Sequence, residues 1–141
     1  MRVNELMSGP KCCSETDSVR RCATLMKEQS IGFVPICDDD GKPIGAVTDR
    51  DLAIRVLAEG RSADETISAF MTRDTVFCSA DDDVEDAERL MRERRKSRIM
   101  VCDEQGRLVG VVSLADVADV ESSRTIGQTF QQVKSDQPTA H

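Results

Sequence analysis

The sequence predicts an α+β fold made of two copies of one β-α-β-β-α unit, packed together with pseudo-two-fold symmetry. Three observations support this prediction: an internal repeat, a helical apolar period in each copy, and paired apolar strands around a turn. The chain has 141 residues, which suits one ordinary domain or two very small ones. Because one copy alone would bury too little surface to be stable, we expect both copies to form one compact body.

The repeat aligns without gaps. Residues 13–53 match residues 78–118 at an offset of 65 positions, and 14 of the 41 aligned positions are identical. Upstream, VNELM at 3–7 is similar to ISAFM at 67–71 after a slip of one residue. We therefore divide the chain into a first unit at 1–60, a second unit at 61–121 and a tail at 122–141.

Each copy opens with a short apolar stretch, KCCS at 11–14 or TVFC at 75–78, followed by an amphipathic helix. Acidic and hydroxyl residues of the type that caps helices precede each helix. Apolar side chains recur on one helix face. They are Val19, Cys22, Leu25 and Met26 in the first copy and Val84, Ala87, Leu90 and Met91 in the second.

A hairpin and a second helix complete each copy. Turns containing Asp and Gly, DDDGK and DEQGR, separate the two apolar strands of each hairpin. The strand before the helix should run parallel to the first hairpin strand, by a right-handed crossover, and the hairpin itself should be antiparallel. The hairpin strands are predicted at 33–37, 43–48, 98–102 and 108–113, and the last helices at 49–60 and 114–123.

Charge and composition exclude several classes of function. A net charge of −7 disfavours nucleic acid and anionic membranes as partners. A cationic run from Arg89 to Arg98 is interpreted mainly as a solvated helix face. No apolar run approaches a membrane span or a signal peptide, so we expect a cytoplasmic protein.

Catalysis is the least favoured function, since the only histidine is His141 and no nucleophile–base pair can be assembled. The six cysteines form no C-x-x-C pair. We expect most of them to be reduced and buried as small apolar residues. A redox or metal sensor that uses Cys12 and Cys13 is the alternative.

One motif, G-x-x-[S/T]-x-x-D, occurs at the strand-to-helix junction of both copies. It runs from Gly45 through Thr48 to Asp51, and from Gly110 through Ser113 to Asp116. Free amide groups at the helix start attract anions, the hydroxyl can donate to phosphate, and the carboxylate can accept from two ribose hydroxyls. The same residues also fit a capping box. A nucleotide site and a plain helix cap therefore both remain open.

The doubled unit, with its strings FVPICDDDGKPIGAVTDRD and RIMVCDEQGRLVGVVSLAD, resembles a tandem pair of CBS domains (a Bateman module), of the stand-alone bacterial type. The resemblance covers about residues 1–121. It implies a regulatory module with no obligatory cofactor, which binds AMP, ADP, ATP or S-adenosylmethionine in clefts between the copies. In that family the motif Asp holds ribose and the Ser or Thr contacts phosphate, which carries onto Thr48 with Asp51 and Ser113 with Asp116.

The resemblance also implies contacts from the opposite copy. The first apolar stretch would contact adenine through its backbone, and the residue after the motif Gly would line the base pocket. These positions are Thr75, Val76 and Ala46 in the first cleft and Lys11, Cys12 and Val111 in the second. A basic residue that precedes the second apolar run, Arg98, would face the Thr48/Asp51 cleft, whereas the first copy has Phe33 at that position. Arg98 can bind phosphate through two hydrogen bonds.

Family members commonly form homodimers, and we expect one here together with an unknown protein partner. The tail residues Ile126, Phe130 and Val133 have helical spacing and would pack on the body or on a second subunit. The alternative to a sensor is a ligand-free interaction module, in which the motif residues only cap helices.

Overall fold

The computed structural model describes residues 1–124, with side chains to residue 120, as two three-stranded sheets flanked by helices. This arrangement confirms the predicted α+β class and the repeated β-α-β-β-α order. None of the helices between residues 1 and 124 combines the length and the hydropathy that a membrane-spanning helix requires. The tail positions Ile126, Phe130 and Val133 lie outside the described residues.

The first unit has the predicted strand order. Strand β1 pairs in parallel with β2, and β2 pairs antiparallel with β3. The helix predicted at 49–60 ends earlier, at Leu57. Its α-helical part, α2 (Asp49–Asp51), continues into a π-helical turn (Leu52–Leu57). Gly60 follows in a left-handed conformation, with φ of 67°. The elements are β1 (Cys13–Ser14), α1 (Val19–Gln29), β2 (Phe33–Cys37), β3 (Pro43–Thr48), α2 (Asp49–Asp51) and the π-helical turn (Leu52–Leu57).

The second unit repeats this topology, with β4 parallel to β5 and β5 antiparallel to β6. Both hairpins turn through a glycine with φ of 80°, Gly41 in the first and Gly106 in the second. This left-handed conformation is the reason for glycine at these turns. The elements are β4 (Phe77–Ser79), α3 (Val84–Arg94), β5 (Arg98–Cys102), β6 (Leu108–Ser113) and α4 (Leu114–Arg124).

Helices α1 and α3 end in the same way. Each has 11 residues and is followed by a non-glycine residue in the left-handed conformation, Ser30 or Arg95, both with φ of 54°. At the other end of α1, the Ser18 side chain accepts a hydrogen bond of 3.1 Å from the Arg21 amide. The equal helix lengths and equal endings place the next strand, β2 or β5, at matching positions in the two units.

Two apolar cores form, and each is completed by a segment that precedes the other copy in the repeat. We call residues 1–8 the first leading segment and residues 67–72 the second leading segment. Val3, Leu6 and Met7 of the first leading segment pack into the core of the second unit. Ile67, Phe70 and Met71 of the second leading segment pack into the core of the first unit. Each leading segment therefore belongs to one unit by its position in the repeat and to the other unit by the core into which it packs.

The leading segments cross the sheets at the motif glycines. The amides and carbonyls of Ala46 and Thr72 exchange hydrogen bonds of 2.9 and 2.8 Å, and those of Ser8 and Val111 exchange bonds of 3.0 and 3.2 Å. A Cβ atom at Gly45 would lie 2.9 Å from the Thr72 carbonyl oxygen, and one at Gly110 would lie 2.6 Å from the Ser8 carbonyl oxygen. Glycine is thus required because two backbones meet there.

A small third apolar cluster joins the two units. It contains Cys37 from the first unit and Met100 and Leu108 from the second, with Phe33 packed against it. The Leu108 amide also donates a 2.9 Å hydrogen bond to the Gly41 carbonyl. Burial of these side chains stabilises the contact between the two units.

We predict that Gly110→Ala lowers the free energy of unfolding by about 1–3 kcal/mol, because the added methyl group forces the Ser8 backbone away. Gly9→Ala is the matched control, since a Cβ at Gly9 meets nothing within 4 Å, and its effect should stay within about 0.5 kcal/mol. Urea denaturation of the three proteins measures both changes. Equal stabilities for the two variants would contradict the crossing as described.

Candidate functional site

A cavity of about 250 Å³ lies between the two units. It contains six of the residues singled out from the sequence, which come from both copies: Ala46, Thr48, Asp51, Thr75, Val76 and Arg98. The remaining lining residues were not assigned to this site from the sequence. They are Phe33, Thr72, Asp74, Arg95, Lys96, Ser97 and Met100.

The motif residues of the first copy form a reciprocal helix cap. The Asp51 amide donates to Thr48 Oγ1 at 3.1 Å, and the Thr48 amide donates to Asp51 Oδ2 at 2.9 Å. The prediction that these residues form a capping box is therefore confirmed. The cap leaves the Thr48 hydroxyl proton and Asp51 Oδ1 available, because it uses only Thr48 Oγ1 as an acceptor and only one carboxylate oxygen.

Asp51 lies in a partly desolvated position beside one cation. Its side chain is 19% exposed, and its Oδ1 lies 3.8 Å from Nε of Arg55. Arg55 in turn donates a 3.2 Å hydrogen bond to the Phe70 carbonyl of the second leading segment. This contact holds the arginine at the edge of the motif, and the cap fixes the orientation of the carboxylate toward the cavity that it lines.

The backbone crossing at Gly45 builds the facing wall. Because Thr72 is paired to Ala46, the chain that leaves it carries Asp74, Thr75 and Val76 along the cavity. The Val76 carbonyl accepts a 3.0 Å hydrogen bond from the Met100 amide, which ties this wall to β5. Residues 74–76 and the cap of the first unit thus line the same cavity.

Three cations line the cavity at the end of α3 and the start of β5. Arg98 was expected there, whereas Arg95 and Lys96 belonged to the run interpreted as a solvated helix face. These two residues do not lie on the helix face, because α3 ends at Arg94, although Arg95 is exposed to solvent as predicted. The signal in the sequence was that the charge run continues past the helix end.

Phe33 is also placed differently from the expectation. In the alignment of the two copies, Phe33 is the counterpart of Arg98, which predicts a position at the second cleft. In the structure, Phe33 lines the cavity that contains Thr48 and Asp51. The strand register explains the position, because Phe33 lies directly opposite Thr48 in the β2–β3 pair. Together with Ala46, Val76 and Met100, it gives the cavity an apolar part.

The second motif forms the same cap but does not contribute to this cavity. The Asp116 amide donates to Ser113 Oγ, and the Ser113 amide donates to Asp116 Oδ2, both at 3.1 Å. Val111 is half-buried, and both Lys11 and Cys12 are exposed. These residues stay a prediction for a second cleft.

Most of the cysteine thiols are buried, as expected. Cys13, Cys22, Cys37 and Cys78 are buried and Cys12 is exposed. Burial, reinforced by the neighbouring Cys12, raises the pKa of Cys37 to about 12. Burial and Asp82 raise the pKa of Cys78 to about 12. A hydrogen bond with Cys13 raises the pKa of Cys22. Among the side chains of residues 1–120, no three from Cys, His, Asp or Glu are grouped so as to hold a metal ion.

The chain belongs to the CBS domain family, whose pattern matches residues 3–58 and 67–123. This match confirms the resemblance to a tandem CBS pair. Among relatives, the chain is 34% identical over 109 residues to the uncharacterized protein MK0525 of Methanopyrus kandleri, covering 77% of this chain and 56% of that protein. It is also 34% identical over 112 residues to hypoxic response protein 1 of Mycobacterium tuberculosis, covering 79% of this chain and 78% of that protein.

Solved structures of CBS proteins have the same fold. Hypoxic response protein I, with two coordinated zinc ions, superposes with a TM-score of 0.75 at 30% identity, over 84% of this chain and 98% of that chain. The CBS pair of MJ0100, in complex with 5′-methylthioadenosine and S-adenosyl-L-methionine, superposes with a TM-score of 0.76 at 26% identity, over 88% of this chain and 98% of that chain. PAE2072 of Pyrobaculum aerophilum, complexed with AMP, superposes with a TM-score of 0.75 at 26% identity, over 82% of this chain and 89% of that chain.

We predict that the exposed Cys12 reacts first with a thiol reagent in the native protein, and that Cys37 and Cys78 react only after unfolding. Loss of the fast phase in Cys12→Ser checks this assignment, and a retained fast phase would refute it. The raised pKa values add a pH effect. Because the unfolded thiols ionise near 9.0 and the folded ones near 12, their contribution to stability is complete below pH 9 and declines as the pH rises toward 12.

Proposed function

We propose that this protein is a regulatory sensor that binds an adenine nucleotide or S-adenosylmethionine in the cavity between its two units. One observation carries the proposal. The cavity gathers Thr48 and Asp51 from the first copy with Thr75, Val76 and Arg98 from the second. That set combines a hydroxyl, a carboxylate, backbone groups and a guanidinium, drawn from parts of the chain that lie far apart in sequence.

The chemistry of the cavity suits a nucleoside phosphate. Asp51 Oδ1, which the cap does not use and which lies 3.8 Å from Nε of Arg55, can accept hydrogen bonds from vicinal ribose hydroxyls, in the manner of the ribose carboxylate of dinucleotide folds. The Thr48 hydroxyl donates to phosphate, and Arg98 pairs with phosphate through two charge-assisted bonds. The apolar part around Phe33 and Ala46 accommodates a purine base, while the Thr75 and Val76 backbone reads its edge.

The ligands of related structures support the same class of molecule. PAE2072 is complexed with AMP, and the MJ0100 pair is complexed with 5′-methylthioadenosine and S-adenosyl-L-methionine. All three ligands contain adenosine or its 5′-thio derivative. The feature they share is the one that the Asp51 carboxylate and the apolar part of our cavity would recognise.

A ligand in this position contacts both units at once. Binding would therefore favour one relative packing of the two sheets over others, which is regulation by a shift of population. We propose that the protein acts on this signal as a cytoplasmic homodimer through a separate protein partner. The second cleft, around Ser113, Asp116, Lys11, Cys12 and Val111, would take a less anionic ligand or none.

A second candidate function follows from the two complete caps. If Thr48 with Asp51 and Ser113 with Asp116 serve only their helices, the module acts by protein contact alone. The two caps have nearly the same geometry, and this likeness provides a matched pair of variants that separates the candidates.

We predict that Asp51→Ala and Asp116→Ala each lower the free energy of unfolding by about 0.5–2 kcal/mol, since each removes one cap. Only Asp51→Ala should abolish the thermal stabilisation by nucleotide. In the wild type, a ligand at 100 times its dissociation constant adds about 2.7 kcal/mol. Thermal-shift measurements with AMP, ADP, ATP and S-adenosylmethionine test this.

The outcomes separate the candidates. No shift of the wild type with any of the four ligands would favour the protein-contact module. Loss of the response in Asp116→Ala, with Asp51→Ala still responding, would move the site to the second cleft. Mass spectrometry of small molecules released from protein purified without added nucleotide would identify a ligand retained from the cell.

A further inference from the structure

We infer that the cavity selects its nucleotide by the number of phosphates, binding a nucleoside di- or triphosphate in preference to the monophosphate through Arg95 and Lys96. This inference rests on the proposed function, because it specifies the ligand of the same cavity. In the proposed site, Arg98 is the cation that pairs with phosphate. Arg95 and Lys96 line the same cavity and have no role in that site as described so far.

All three cations belong to the cavity wall. Arg95 is exposed, whereas Lys96 and Arg98 are half-buried, and each lines the cavity. They occupy four consecutive positions with Ser97, whose hydroxyl adds another donor. A cluster of this kind provides guanidinium forks and an ammonium group along one short stretch of chain, which matches a chain of phosphates better than a single one.

Comparison of the two units shows that the fold does not require these cations. After α1, the chain passes through Ser30, with φ of 54°, and reaches β2 at Phe33. After α3, it passes through Arg95, with the same φ, and reaches β5 at Arg98. The two units therefore have the same backbone conformation between the helix end and the strand start. The first unit adopts this conformation without any positively charged side chain at the equivalent positions. The counterparts of Arg95, Lys96 and Arg98 are Ser30, Ile31 and Phe33.

The carboxylates among the described side chains do not pair with these cations. Across residues 1–120, ion pairs within 4 Å form at Arg2, Arg20, Arg55, Arg61 and Arg89, and none forms at the three cavity cations. The acids that line the same cavity are Asp51 and Asp74. Asp51 is capped and lies beside Arg55. In a chain of net charge −7, this is a local concentration of positive charge.

Charge matching then sets the preference. One guanidinium placed beside the Thr48 hydroxyl is sufficient for a single phosphate group, as proposed for Arg98. Arg95 and Lys96 gain partners only when the ligand carries further phosphates. Each charge-assisted hydrogen bond to a β- or γ-phosphate is worth about tenfold in affinity. AMP, which lacks those groups, would bind with little help from either side chain.

The test compares affinities for AMP, ADP and ATP by isothermal titration calorimetry without divalent cations, using the full chain. The wild type should bind ATP at least about tenfold more tightly than AMP. The double variant Arg95→Asn with Lys96→Gln should lose most of that difference and keep its AMP affinity within about fivefold. Asparagine is chosen at position 95 because it tolerates the left-handed conformation. Arg94→Gln, an exposed change one position earlier and outside the cavity lining, is the matched control and should behave as the wild type.

Two results would overturn the inference while leaving the proposed function intact. One is a wild type that binds AMP as tightly as ATP. The other is a double variant that weakens AMP and ATP equally, which would show a general effect of charge. A wild type that binds none of the three nucleotides would instead reject the nucleotide function itself. The pattern of affinities therefore shows whether the selectivity for phosphate number or the nucleotide function itself has been rejected.

Discussion

The contact on which the rest of the molecule depends is the crossing of two backbones at each motif glycine. At Gly45 and Gly110 a leading segment lies so close to the hairpin that a side chain would collide with a carbonyl oxygen. Paired hydrogen bonds at Ala46 and Val111 lock the two crossings. The first crossing directs the chain from Thr72 to Val76 along the cap of the first unit. The cavity exists because this path is fixed by main-chain bonds, which depend little on side-chain identity.

The cap formed by the motif does not prevent its residues from taking the binding role proposed for them. The cap formed by Thr48 and Asp51 uses one oxygen of each side chain. It thereby removes the rotational freedom of both groups before any ligand arrives. A carboxylate that is held in place by its own helix is a better receptor for ribose than a mobile one. The same cap forms at Ser113 and Asp116, which do not line this cavity, so the cap alone does not distinguish the proposed site.

Much of the fold was predictable, for identifiable reasons. The hairpin strands at 33–37, 43–48, 98–102 and 108–113 were placed at their observed bounds, because apolar runs on both sides of an Asp-Gly turn leave little freedom of register. The exchange of leading segments was not predictable, because VNELM has the same local pattern whichever core it joins. Arg95 and Lys96 were missed for a similar reason. The helical period gives no information about where a side chain points once the helix has ended.

The exchange of leading segments has a consequence for how the protein can be divided. A fragment that begins at residue 67 contains a complete copy of the repeat but lacks Val3, Leu6 and Met7, which fill its core. It also carries Ile67, Phe70 and Met71 with no core of their own to enter. Such a fragment would satisfy both needs at once by trading these segments with a second molecule. In the full chain both copies are covalently joined, so the same exchange is intramolecular and the connecting segment sets the effective concentration.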